Sequence, residues 1–117
     1  MKIIQTDGND WQEGRGYRKR RLLSAEALRQ AGALLQVVVV PPKSHIPPHS
    51  HATSVEVYVV TRGVCELFVN GERREMRPGD VLLMEPGDVH ELTNRGDEAF
   101  EVLVFKTNAT RADIQWR

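Results

Sequence analysis

Four histidines, His45, His49, His51 and His90, are the side chains of this 117-residue chain best suited to chemistry, and three of them fall within seven positions. Side chains alternate with period two in an extended segment, so His49 and His51 project to the same side. Both rings can then reach one ion at about 2.0–2.2 Å, which is the spacing metal ligands need. A polar loop that happens to contain histidine is the competing reading of a lone His-x-His pair. Glu56 interrupts the apolar run Val55-Glu56-Val57-Tyr58-Val59-Val60. A carboxylate buried there without a partner would cost several kcal/mol or stay protonated, so it calls for a cation. The competing reading sets Glu56, Tyr58 and Val60 on a solvated face, and alternation alone does not exclude it. His90 follows Pro86-Gly87-Asp88 at the start of a further run and gains its interest from the other three.

Groups this far apart in sequence meet only if the elements between them are short and fold back repeatedly. The dominant periodicity is that of strands, with candidates at 33–40, 55–61, 65–69, 73–76, 81–84, 90–94 and 99–106. Asn70-Gly71 joins two of these runs, and both residues tolerate the positive φ of a type I′ hairpin turn. Pro78-Gly79-Asp80 and Pro86-Gly87-Asp88 bracket the run at 81–84, which is too brief for a helix. A helix of about two turns is expected only over Ser24–Ala31, with Ser24 as N-cap, Glu26 in the first turn and Gly32 as a left-handed stop. A second short helix from Thr110 towards Trp116 has one apolar pair, Ile114 and Trp116, as its support. The pattern suits an all-β sandwich or barrel with a short N-terminal helix.

Composition bounds the partners. Sixteen basic and sixteen acidic residues cancel, so no global field draws the chain to nucleic acid or an anionic membrane. The lone Cys65 can form no internal bridge and no cysteine-based zinc site. Met1–Trp11 lacks the apolar core of a secretory signal, and no run approaches the ~20 apolar residues of a membrane span. A cytoplasmic protein is therefore expected, with Asn108-Ala109-Thr110 a glycosylation sequon by accident. With no repeat and no linker composition, residues 1–117 read as a single domain.

Three further features carry weaker signals. Tyr58 shares the face of Glu56 in a regular strand and is the candidate pocket-lining, catalytic hydroxyl, although a packing tyrosine would look the same. Gln36 interrupts an apolar run, and a buried amide needs a partner such as a ligand or a metal-bound water. Five basic residues among the seven from Arg15 to Arg21, near Trp11 and Tyr17, invite a nucleic-acid reading. The alternation of Tyr17, Lys19, Arg21 and Leu23 instead suits a charge-protected edge strand or an interface.

The spacing His49-Ser50-His51, four residues, Glu56, six residues, Gly63 resembles the first signature of the cupin superfamily. Gly79, Gly87, His90 and Asn94 resemble the second, so the two motifs cover about 43–63 and 79–94. The chain departs from the pattern at Lys43, where the family usually has glycine, and at Glu85, where it usually has proline. The resemblance implies a double-stranded β-helix or jelly-roll barrel with His49, His51, Glu56 and His90 around one divalent transition metal (Mn, Fe, Co, Ni, Cu or Zn) in the barrel mouth. His45 has no place in that pattern. It also implies a homodimer with N-terminal strands paired across subunits. Since the scaffold hosts many activities, the expected function is a metal-dependent enzyme on a small molecule, of oxygenase or isomerase type. The alternatives are a non-catalytic metal- or ligand-binding module or sensor and, most weakly, a nucleic-acid binder through Arg15–Arg21.

Overall fold

A computed structural model describes residues 1–5 and 10–117; Thr6–Asn9, inside the stretch read for a secretory core, lie outside the described residues. Its strands form two antiparallel sheets. One runs in the order β1 (Gln12–Glu13), β2 (Arg18–Leu23), β3 (Leu34–Val40), β10 (Phe100–Thr107), β5 (Val55–Arg62) and β8 (Val81–Met84). The other runs β11 (Ile114–Trp116), β4 (His45–His51), β9 (His90–Thr93), β6 (Cys65–Val69) and β7 (Glu72–Met76). This is the jelly-roll arrangement the sequence leads one to expect. Among the described residues no helix is long and apolar enough to cross a membrane.

The interior between the sheets has two characters. Val40, Val60, Leu67, Met76, Leu92 and Phe100, drawn from both sheets, are all but inaccessible and form an apolar core. Toward the other end the inward positions become polar: Gln36, His49, His51, Glu56, His90 and Asp113 are all buried. Strand β5 runs through both zones. Its inward face is Glu56, Tyr58 and Val60, while Val55, Val57 and Val59 are only half-buried outside, so the solvated reading of Glu56 fails.

Turn chemistry sets the register. Asn70 and Gly71 both take positive φ and close the β6–β7 hairpin, with Val69 opposite Glu72. The two Pro-Gly-Asp turns are twins: Asp80 Oδ2 accepts the Arg77 amide at 2.9 Å, and Asp88 Oδ2 accepts the Glu85 amide at 2.9 Å. Glu85 therefore supplies an N–H that the family's usual proline lacks. Lys43, the other departure, sits at φ 60, in the left-handed region where glycine is cheapest, and its ammonium donates to the Arg95 carbonyl at 2.7 Å. Gly63 has no such latitude. Its φ is +76, and a Cβ there would lie 2.5 Å from the Ala99 carbonyl oxygen. Asn94 is a fastener, its amide donating to the carbonyls of Val40, Pro41 and Glu98 at 2.9–3.2 Å.

Two expectations need correction, and a segment absent from the candidate strands forms one. The helix α1 spans only Ala25–Leu28 and ends at Arg29, φ 55, before Gly32 is reached. None of its residues is buried, so nothing beyond the Ser24 cap supports a second turn. The chain from Ile114 to Trp116 is a strand and not a helix, because the open edge of β4 offers it a ladder: Ile114 pairs with His51 and Trp116 with His49. Finally, the histidine-rich segment is itself strand β4, despite Pro47-Pro48. The prolines lack amide donors, and the β4–β9 ladder shifts register between Ile46 and His49 to accommodate them.

Candidate metal centre

Pairing of β4 with β9 puts His49 directly opposite His90, with ring centroids 4.1 Å apart. His51, two residues along β4, shares their side of the sheet. His49, His51 and His90 each offer one ring nitrogen, and these atoms all lie within 4.8 Å of one another. From the opposite sheet Glu56 sends Oε1 to 2.8 Å from His51 Nε2 and 3.6 Å from His90 Nε2. The Tyr58 hydroxyl lies 3.3 Å from His90 Nε2. The five side chains singled out from the sequence therefore converge.

What orients the rings is a set of acceptors on their far nitrogens. His49 Nδ1 donates to the Pro47 carbonyl at 2.8 Å, an oxygen exposed by the bulge at the proline pair. His90 Nδ1 donates to the Asp88 carbonyl at 3.0 Å, in the second Pro-Gly-Asp turn. His51 Nδ1 donates to Asp113 Oδ2 at 2.9 Å. With all three protons on Nδ1, the Nε2 lone pairs face inward, the arrangement metal-binding histidines require.

Asp113 was not singled out from the sequence, and nothing local to it could have done so: it lies 62 residues from His51. Its carboxylate also accepts from the amides of Thr53 (2.7 Å) and Ser54 (3.2 Å) and from the Thr53 (2.8 Å) and Ser54 (2.6 Å) hydroxyls. Burial alone would raise its pKa, but these donors hold it well below the usual carboxylate range. On the strand that follows Asp113, Trp116 packs against His49, ring centroids 5.0 Å apart, with the Arg15 guanidinium 4.5 Å from the indole centroid. The C-terminal strand thus braces two of the three histidines.

The electrostatics match ligation. Burial, then the neighbouring His90, pushes the His49 pKa down to about 4, and burial lowers that of His90. Both rings are neutral at neutral pH. Burial pushes Glu56 up, but the contact to His51 and the charge of Lys106, 3.6 Å from Oε2, outweigh it and keep the carboxyl ionised. Glu56 Oε1 is buried and, among the described residues, has no hydrogen-bond donor. It lies 2.8 Å from His51 Nε2, a contact that is favourable only with a proton on Nε2 or a cation shared by the two atoms. A divalent transition ion fits this donor set of imidazole nitrogen and carboxylate oxygen.

His49, His51, Glu56 and Tyr58 form part of the wall of a cavity of about 470 Å³ between the sheets. Gln36 lines it, buried, with no hydrogen bond to its amide among the described residues. His45 stays outside, as expected, in contact with Glu91 on the exposed end of β4. Cys65 is buried, and burial raises its thiol pKa to about 12, which disfavours the thiolate. The basic run behaves unlike the edge strand it resembles. Strand β2 is flanked by β1 and β3, and its Lys19 and Arg21 line the cavity beside Tyr17.

Comparison with known proteins agrees with this architecture. The chain is 32% identical over 115 residues to Protein SchB of Streptomyces halstedii, covering 97% of this chain and 83% of that one. It is 30% identical over 82 residues to the oxalate-binding protein of Thermotoga maritima, covering 70% of this chain and 68% of that one. Among solved structures, one described as a predicted oxalate decarboxylase from Thermotoga maritima superposes with a TM-score of 0.81 at 23% identity, covering 92% of this chain and 99% of the other. Residues 36–106 match the family described as the cupin domain. That match spans more than half of the sequence and contains both histidine motifs, so this protein belongs to the cupin family.

Proposed function

We propose that the protein is a metal-dependent enzyme acting on a small molecule, of oxygenase or isomerase type, with one divalent transition metal held by His49, His51, Glu56 and His90. The observation that carries this reading is the buried Glu56 Oε1, which lacks a donor and faces inward-pointing Nε2 atoms. A bound ion would supply a Lewis acid and an attachment point for a chelating substrate or dioxygen. The T. maritima relative is named for binding oxalate, which supports a small chelating ligand here.

The chain's own contribution is orientation and a proton. Pro47, Asp88 and Asp113 fix the three imidazoles through Nδ1, so the donor set is prepared before anything binds. Burial, then the Glu56 charge, pushes the Tyr58 pKa well above 10, so the phenol keeps its proton. Tyr58 therefore acts as a hydrogen-bond donor to substrate oxygen at the cluster and not as a base. Val102 and Val104, almost fully buried, give the cavity part of its apolar wall.

The test is metal stoichiometry on chelator-stripped protein titrated with Mn²⁺ or Co²⁺. One ion per chain is expected for the wild type and substantially less for His49→Ala and His90→Ala. Unchanged stoichiometry in both variants would overturn the assignment. Turnover of a panel of hydroxy and keto acids that follows metal content and drops in Tyr58→Phe marks an enzyme. Metal-dependent binding without turnover marks a binding module instead.

A further inference from the structure

Strand alternation divides the basic run and leaves two cations on the cavity wall, half-buried Lys19 and exposed Arg21, without an ion pair among the described residues. Arg20 meets Asp10 at 2.7 Å, and the Arg18 and Arg20 guanidiniums lie 4.8 and 5.8 Å from the Trp11 ring centroid. Lys19 and Arg21 take the opposite face of β2 and line the cavity. Among the described residues neither of these two has an ion pair or a side-chain hydrogen bond.

Register fixes their place relative to the metal centre. Arg21 pairs with Gln36, Gln36 with Val104 and Val104 with Tyr58, one row across four strands. Lys106 stands in an adjacent row beside Glu56 and is committed to it. At about 4.8 Å per strand, the Arg21 and Tyr58 backbones are roughly 14 Å apart, a gap that the long basic side chains narrow to the length of a small molecule. Between them lie the unpartnered Gln36 amide and the apolar Val38, Val102 and Val104.

Lys19 is half-buried with no ion pair of its own among the described residues, and burial together with Lys106 and Arg21 lowers its pKa against the opposing charge of Glu56 in the same cavity. A bound anion would offset the mutual repulsion of these cations. We infer that the substrate is a small dianion, with a chelating hydroxy- or keto-carboxylate end at the histidine cluster and a second anionic group, carboxylate or phosphate, held by Lys19 and Arg21. This rests on the metal site proposed above. The guanidinium fork of Arg21 suits either oxyanion, and Lys19 adds a point charge beside it.

The experiment uses the full chain loaded with Mn²⁺, with metal content measured on the same samples before calorimetric titration. Three probes share a 2-hydroxycarboxylate end and differ at the other: 2-hydroxybutyrate carries a methyl group, malate a carboxylate and 3-phosphoglycerate a phosphate. Malate or 3-phosphoglycerate should bind at least ~10-fold tighter than 2-hydroxybutyrate, the value of one charge-assisted contact. Which of the two binds better separates carboxylate from phosphate. The double variant Lys19→Met, Arg21→Met should lose that preference with metal content unchanged, and Lys19→Arg should keep it. Equal affinities for the three probes, no binding of any, or a preference that survives the double variant would overturn the inference. Failure of the metal reading looks different, since a wild type that retains no Mn²⁺ is detected before any probe is added.

Discussion

At its two ends strand β4 carries histidine–carboxylate contacts of similar length and different consequence. At its start His45 Nε2 lies 2.6 Å from Glu91 Oε2, with the two side chains 46% and 30% exposed. At its end His51 Nδ1 lies 2.9 Å from Asp113 Oδ2, with 6% and 7% exposed. The outer pair is a surface contact that water screens on every side, and such pairs contribute about 0–1 kcal/mol. The inner pair sits where water cannot substitute for a missing partner. There Asp113 fixes which nitrogen of His51 carries the proton, and so turns the other toward Glu56 and the neighbouring histidines. Separation is nearly the same in the two cases; burial and the surroundings of the second nitrogen decide what the contact does.

The sharpest way to break this contrast is to remove a proposed ligand. Glu56→Gln should abolish stoichiometric metal binding, read by elemental analysis, because the amide removes the negative charge and presents donors to the Nε2 cluster. Metal content equal to wild type would place the ion elsewhere. Next in size is the pH response of the metal-free protein. A base whose folded pKa lies below its unfolded value binds protons better when unfolded. Stability due to His49 is therefore intact above the unfolded value near 6.5 and is lost as pH falls from there toward about 4, by up to ~3 kcal/mol. Chemical denaturation at pH 7 and pH 5 measures it, and a midpoint that does not fall would contradict a neutral buried ring.

Asp113→Asn sharpens the contrast more finely. It keeps size and most hydrogen bonding but no longer imposes the His51 tautomer, so metal affinity should fall by about 10–100-fold while stoichiometry at saturation stays at one. A competing chelator reads this directly, and an unchanged affinity would reduce the C-terminal strand to packing. His45→Ala should do least, changing metal affinity not at all and stability by no more than ~0.5 kcal/mol in thermal melts. A metal effect there would erase the distinction between the two ends of the strand.

How far the site was legible follows from where its signals lie. His49 and His51 are two apart in one segment, and Glu56 stands out against valines, so each announces itself locally. The two Pro-Gly-Asp turns and Asn70-Gly71 likewise declare the reversals that bring His90 back, and all three form as their chemistry dictates. The C-terminal strand was missed because three residues with one apolar pair have no periodicity to read. What makes Ile114–Trp116 a strand is the free edge of β4, a property of another part of the chain. The helix from Ser24 was overestimated for the converse reason, since a good cap and good helix formers cannot extend a segment that buries nothing. Lys19 and Arg21 were read as edge protection because alternation gives sides but not which side is the interior.

By itself the sequence determined the residue types, their spacing along each strand and the turns between strands, because these depend on backbone conformation within a few residues. Only the tertiary structure decided that Asp113 fixes the ring of His51, that Glu56 Oε1 is left without a donor, and that half of a basic run faces a cavity. Each of those depends on which surface is closed to water, and burial is a property of the assembled sheets that no single segment carries.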